Sequence, residues 1–353
     1  MKMQAKYWHT RDDGKIECEL CPRHCVLKPG QRGFCFVREN IGSQMVLTSY
    51  GKSTGFCIDP IEKKPLNHYY PGSSVLSFGT AGCNLGCKFC QNWDISKSHE
   101  IMILSAKAEP EEIAHVAKGY RCKSVAFTYN DPVIFHEYAV DTAIACREND
   151  IHPVAVTAGY IMPEPRKEFF AAMDATNIDL KGFTEEFYKN FTNSHLNNVL
   201  DTLQYVKHET NTWLEITTLL IPGANDSLQE IENMSQWIAE NLGADVPLHF
   251  SAFHPAWHMM DTPRTPPETL FRARDIAMKN GIKYVYTGNI IDTPSASTFC
   301  SGCGELLIER KSYTIGEWNL ASGSKCPKCG DGLPGHFEDN PGKWGNKAVP
   351  VKF

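Results

Sequence analysis

The chain has 353 residues, of which 42% are hydrophobic, 22% charged and 11% aromatic, the composition of a folded globular protein rather than a disordered or fibrous one. Lys plus Arg number 35 against 41 Asp plus Glu, a formal charge of -6, so the broad basic footprint of a nucleic-acid-binding protein is missing and such a partner is not expected. No run of about 18 apolar residues occurs, and no apolar stretch follows the N-terminal lysines, so the expectation is a cytoplasmic chain without membrane contact.

A single α/β core stops growing at roughly 250 residues, so this length implies one such domain with smaller appendages. The first part, 1–74, is rich in Gly, Pro and Lys, with short strand-like pieces such as 45–48. It carries Cys18, Cys21, Cys25 and Cys35. Thiols this closely spaced suit a metal better than disulfides, which join separated segments. Four thiolates spaced three, four and ten apart could hold a structural zinc or an auxiliary iron–sulfur cluster; the surrounding polar, Pro- and Gly-stiffened loops favour zinc. His24 is a further nearby donor, read as solvated. The run Glu62, Lys63, Lys64 reads on its own as a hydrated loop.

From 75 to 292, β-branched runs alternate with amphipathic stretches, the pattern of repeated β-α units around a parallel sheet. The expected strands are 75–78, 124–128, 153–157, 175–180, 213–220, 247–252 and 284–287. Helices are expected over 110–119, opened by Glu109 and Pro110 and closed by Gly119, and over 132–149, 226–242 and 267–280. Six or more units fit a partial or complete (β/α) TIM-like barrel; no GxGxxG follows a strand, which disfavours a doubly wound dinucleotide fold. Residues 294–298 read as a linker. The last segment, 293–353, is poor in apolar residues and needs a staple, supplied by Cys300, Cys303, Cys326 and Cys329: two CxxC-Gly knuckles suited to zinc, with a rubredoxin-like iron as the chemical alternative. Cys57, Cys122 and Cys146 stand alone and read as core residues.

After the first barrel strand comes Gly79-Thr80-Ala81-Gly82-Cys83-Asn84-Leu85-Gly86-Cys87-Lys88-Phe89-Cys90-Gln91-Asn92-Trp93. Cys83, Cys87 and Cys90 on a Gly-rich loop can take three corners of a 4Fe-4S cluster and leave the fourth iron open. A zinc site would want a fourth ligand, for which His99 is the nearby candidate.

This CxxxCxxC resembles the signature of the radical S-adenosylmethionine (SAM) superfamily, in which the open iron binds SAM and reductive cleavage yields a 5′-deoxyadenosyl radical. Later strand ends are similar to the glycyl-radical activating branch: Thr128-Tyr129-Asn130-Asp131-Pro132, Val156-Thr157-Ala158-Gly159, Asp179-Leu180-Lys181, Leu219-Leu220-Ile221-Pro222-Gly223 and Phe253-His254-Pro255. Val156 departs from that pattern, standing where activating enzymes often carry Asp. The resemblance implies that Phe89 lies on the adenine side, that Asn130 and Asp131 meet the methionine amino group, that Lys181 meets its carboxylate, and that Thr157, Asp179 and His254 cover the remaining SAM surface. The pieces Asp59-Pro60-Ile61-Glu62-Lys63-Lys64-Pro65-Leu66, Cys87 to Ser96 and Tyr284-Val285-Tyr286-Thr287-Gly288-Asn289 resemble the radical SAM member of the AmmeMemoRadiSam system.

That family implies a low-potential electron donor and a protein substrate, either a glycyl-radical enzyme or Memo-type and AMMECR1-type proteins. Two other readings are compatible with the same residues: an iron–sulfur and zinc protein that transfers electrons or docks a partner without SAM turnover, and radical SAM chemistry on a small molecule or RNA.

Overall fold

The computed structural model describes residues 3–97 and 106–353, so His99 lies outside the described residues. At its centre is a nine-stranded sheet. Its strands are β1 (Phe56–Pro60), β2 (Ser74–Phe78), β3 (Ser124–Phe127), β4 (His152–Thr157), β5 (Ala175–Asp179), β6 (Trp213–Leu220), β7 (Leu248–Ala252), β8 (Val285–Gly288) and, from the chain's end, β11 (Val349–Val351). Strands β9 (Leu306–Lys311) and β10 (Thr314–Trp318) belong to a separate three-stranded sheet. In the large sheet the spatial order is β8-β7-β6-β5-β4-β3-β2-β1-β11.

Strands β2 to β8 are all parallel and lie side by side in chain order. Each adjacent pair is joined through one long helix: α1 (Pro110–Gly119), α2 (His136–Arg147), α3 (Pro163–Ala171), α4 (Leu196–Glu209), α5 (Leu228–Asn241) and α6 (Pro267–Lys279). Because right-handed crossovers that never reverse direction place every helix on the same face, the sheet is singly wound, as in a barrel, and not doubly wound. The ring stays open, since the outer strands β8 and β11 do not pair with one another. Strands β1 and β11 extend it antiparallel at the β2 side.

Local chemistry explains the elements. Pro110 occupies the first turn of α1, Glu112 reaches back to the Glu109 N–H at 2.8 Å, and Ile113, Ala114 and Ala117 form its buried stripe. Helix α2 is preceded by a 3₁₀ turn, Pro132–Phe135, whose first N–H groups are capped when the Asp131 carboxylate accepts from Val133 N at 3.1 Å.

Two features depart from the sequence-based expectation. Residues 294–298 are not a linker: α7 (Thr293–Ala296) is capped by Asp292 and leads directly into a two-residue strand, with Ser295, Ser297 and Thr298 buried. The segment around 61–70 is not a hydrated surface loop either. Ile61, Leu66 and Tyr69 pack with Val75, Ala126, Val154 and Ala175 of the barrel strands, so this stretch plugs the barrel interior. All fourteen cysteines are free thiols, with Cys122 and Cys146 buried in the core and Cys57 half-buried beside Asp59.

Candidate active site

The C-terminal ends of the barrel strands open into a cavity of about 530 Å³, the position at which barrel folds assemble their sites. One wall is the loop that follows β2. Gly82 adopts φ +89°, and a Cβ there would stand 2.0 Å from the Cys35 carbonyl oxygen, so only glycine lets the loop pass. The loop is fastened by Gly86 N to Thr192 O and Lys88 N to Phe191 O, both 2.8 Å. Asn130 braces it from β3: its Nδ2 donates to Gly82 O at 2.8 Å and Thr80 Oγ1 at 3.3 Å, while its Oδ1 accepts from Thr80 N at 3.2 Å.

Cys83, Cys87 and Cys90 all face this cavity, with Phe89 buried beside them. Burial pushes the Cys87 thiol up to about 12; Lys181 pulls against this, while Cys83 and Cys90 push the same way. These three sulfurs do not all lie within 4.8 Å of one another, a spacing that suits thiolates on different irons of one cluster rather than on a single zinc.

The remaining strand ends complete the wall. The Asp131 carboxylate is buried and accepts from Thr157 Oγ1 at 2.8 Å and Ala158 N at 3.0 Å; burial raises its pKa, against these donors. Oδ2 keeps a lone pair after accepting from Ala158 N. Lys181 Nζ lies 2.8 Å from Asp179 Oδ2. Burial works against its charge, but Asp179 and Cys87 hold the ammonium above its usual value. Phe89, Asn130, Asp131, Thr157, Asp179 and Lys181 therefore share one cavity with the three cysteines. His254 is half-buried and stands off that wall.

The opposite wall holds residues that sequence reasoning missed. His249 on β7 lines it, and the fully buried Glu215 carboxylate of β6, which is not part of the lining, accepts from His249 Nε2 at 2.7 Å, Asn67 N at 3.0 Å, His68 N at 2.8 Å and Trp213 Nε1 at 3.1 Å. These donors hold it below the usual carboxylate range, in spite of burial. Lys64 is buried, bound to Asp59 at 2.8 Å, and lies over the Tyr129 ring at 4.9 Å; burial lowers its pKa to about 8, although Asp59 opposes the shift. Glu62 lines the same wall, as does Arg310 from β9. The available signal was a charged residue in the middle of strands whose two faces are both covered.

Outside the cavity lining, Cys300, Cys303, Cys326 and Cys329 converge with all four sulfurs within 4.8 Å of one another. Gly304 and Gly330 take positive φ and close two equivalent turns, with Gly304 N to Cys300 O and Gly330 N to Cys326 O at 2.9 Å each. This is the donor set of a single tetrahedral ion in a zinc-ribbon-like module.

Comparison with known proteins agrees with the fold. The radical SAM superfamily matches residues 78–238. The uncharacterized protein MJ0808 of Methanocaldococcus jannaschii is 42% identical over 329 residues, 93% of this chain and 98% of its own. The 4-hydroxyphenylacetate decarboxylase activating enzyme of Clostridium scatologenes is 28% identical over 118 residues, 33% of this chain, which spans 38% of that relative's length. Among solved structures, a radical SAM methyltransferase from Sphaerobacter thermophilus shares the fold at TM-score 0.50 and 17% identity, over 67% of this chain and 71% of that one. No helix among the described residues is long and apolar enough to cross a membrane. An open, singly wound barrel with three cysteines at the mouth of its first strand, together with the family match over residues 78–238, makes the chain an enzyme of the radical SAM superfamily.

Proposed function

We propose that the protein cleaves SAM reductively at the Cys83, Cys87 and Cys90 loop and directs the resulting radical to a partner protein. The single observation that carries this reading is the convergence of those three thiols with Asp131, Asp179 and Lys181 on one cavity wall. When bound, a 4Fe-4S cluster on the three thiolates would supply the electron that breaks the sulfonium C–S bond and so the 5′-deoxyadenosyl radical that takes hydrogen from the substrate.

The chain's own residues would orient SAM. The Lys181 ammonium, charged and beside Cys87, is placed to bind the SAM carboxylate. Asp131 has an acceptor left for the amino group, and Phe89 offers an apolar surface to the adenosyl side. Thr157 and Asp179 serve mainly by holding Asp131 and Lys181. Asn130, engaged on both sides of its amide with the loop, keeps the three thiols in place.

The activating enzyme among the relatives supports a protein as hydrogen donor. The AmmeMemoRadiSam-like pieces support Memo-type or AMMECR1-type proteins as partners, beside a glycyl-radical enzyme. A low-potential carrier would deliver the electron. The C-terminal quartet is assigned zinc, and a reducing compartment such as the cytoplasm would keep these thiols reduced.

The test is anaerobic reconstitution with iron and sulfide, reduction with dithionite, addition of SAM and measurement of 5′-deoxyadenosine. Product is expected from the native chain; none above a Cys87→Ala control would sink the reading. Deuterium transferred into 5′-deoxyadenosine from a labelled partner protein supports protein activation, whereas label arriving only from a small metabolite excludes it.

A further inference from the structure

The N-terminal cysteines form a second site that the cavity does not include. Cys18, Cys21, Cys25 and Cys35 line one small enclosed cavity, with Leu20, Val133 and Ile134 as apolar walls. Cys18 and Cys35 are buried and the other two half-buried. These walls are not the polar loops that favoured zinc in the sequence.

The spacing of the thiols separates one ion from several. A tetrahedral zinc at Zn–S of about 2.3 Å sets its thiolates roughly 3.8 Å apart. In the C-terminal quartet, Cys300 and Cys329 stand 3.4 Å apart and Cys303 and Cys326 3.6 Å. Among the described residues, that quartet alone brings three or more donors within 4.8 Å of one another. The N-terminal thiols share a cavity yet stand wider than one ion requires, as they would if they ligated different irons of one cluster.

An independent observation points into the same cavity. Arg38 is 1% exposed and forms part of its wall. Its Nη1 donates to Lys6 O at 3.0 Å and its Nη2 to Glu137 Oε1 and Oε2 at 2.7 and 2.6 Å, while its buried Nε–H has no acceptor among the described residues. An unmet donor beside four thiols is what a sulfur acceptor would satisfy, and hydrogen bonds to cluster sulfur raise the potential.

The cavity also adjoins the catalytic loop. Asn84, between Cys83 and Cys87, contributes to its wall. Arg23 Nε donates to Asn84 O, and the Cys35 carbonyl packs against Gly82.

We propose that Cys18, Cys21, Cys25 and Cys35 hold an iron–sulfur cluster with complete cysteine ligation, which relays single electrons from a low-potential flavin or iron–sulfur carrier to the group on Cys83, Cys87 and Cys90. The carrier is oxidised by one electron. The N-terminal cluster is reduced and then reoxidised as the catalytic site is reduced; no bond forms or breaks and no proton need move. The relay rests on the radical SAM reading, but the existence of the cluster does not.

The test of the cluster itself removes the catalytic ligands, which avoids a folding failure at the new site; only the test of the relay alters the N-terminal ones. The full-length Cys83→Ala, Cys87→Ala, Cys90→Ala variant, reconstituted anaerobically, is expected to keep about two to four irons with equal sulfide. It should also give an electron paramagnetic resonance signal on reduction that SAM leaves unchanged. In that background Arg38→Lys, which keeps the charge but removes Nε–H, should lower the midpoint potential. In a Cys18→Ser, Cys35→Ser variant, reduction of the catalytic cluster by a flavodoxin-type carrier should be several-fold slower. Absence of sulfide with two zinc ions per chain in the triple variant overturns the cluster, and unchanged reduction by the carrier overturns the relay. An intact N-terminal cluster in a native chain that makes no 5′-deoxyadenosine would instead mean that the SAM reading alone has failed.

Discussion

Glu62 sits at the plugged side of the cavity with Oε1 accepting from Gly72 N at 2.6 Å and Oε2 buried without a donor among the described residues. Burial raises its pKa to about 7, with Arg310 and the Gly72 N–H pulling the other way. The folded state therefore binds a proton that the unfolded chain has already released between about pH 4.5 and 7. The stability gained from the neutral acid is fully present below 4.5 and lost as pH rises through 7. Glu62→Gln removes this titration, so it should be close to neutral near pH 4 and stabilising by about 3 kcal/mol near pH 8. Urea midpoints at the two pH values check it; an equal effect at both would rule out the ionisation. Lys181 calls for a binding measurement instead. A charge-assisted bond from a buried ammonium contributes about 1.5–3 kcal/mol, so Lys181→Gln should weaken SAM binding by roughly 10- to 100-fold. Anaerobic equilibrium dialysis would show this, with the iron content unchanged as evidence that the loop survives.

At the scale of elements, the loop after β2 depends on a backbone approach that no other residue permits. Gly82 combines φ +89° with contact on the Cys35 carbonyl, so Gly82→Ala must move either the loop or the N-terminal segment. Because Asn130 holds Gly82 O, that displacement should carry Cys83 with it. The expected result is loss of most of the iron bound at Cys83, Cys87 and Cys90 while the secondary structure stays intact. Iron analysis beside a far-ultraviolet spectrum measures both, and full iron occupancy would contradict the argument.

The same scale shows what could be read from residues alone. Seven parallel strands were legible to within about a residue, because strands covered on both faces are continuous β-branched runs. Helix α1 was legible from its caps. Helices α3 and α4 were not: α3 opens with Pro163 and Pro165 and carries few apolar residues, and α4 begins at Leu196 behind His195, which supplies no side-chain cap. Strand β11 is three residues long with Pro350 in its middle, tolerable only at a sheet edge, and its pairing with β1 lies almost 300 residues away in sequence. For the site, the cysteine loop and the polar strand ends could be recognised from local order. The meeting of Glu215 and His249 could not, since it depends on the β6–β7 register, in which His249 lies opposite Thr217.

The whole molecule is held together around the plug. His68 bonds through Nδ1 to Pro334 O and through Nε2 to the Tyr286 hydroxyl, both at 2.6 Å, and Arg310 Nη2 donates to Asn67 O at 2.7 Å. Tyr70 N to His336 O and His336 N to His68 O, each 2.8 Å, continue the seam, and Gly342 N to Pro71 O at 2.9 Å extends it. The C-terminal segment thus closes the cavity's far wall, although its own core is small: Leu307, Ile308 and Leu333 are the buried aliphatics that join Tyr284 and Tyr286. A core of that size needs the four-thiolate ion for its stability. Cys326→Ser with Cys329→Ser should therefore release the metal, lower the apparent melting temperature by roughly 10 °C and open protease sites within 293–347. SAM affinity should stay within about threefold, because Lys181, Asp131 and Phe89 belong to the opposite wall and a contact that is not lost changes no binding free energy. A metal-free variant that resists protease like the native chain would show that the seam to the plug, and not the ion, holds the far wall in place.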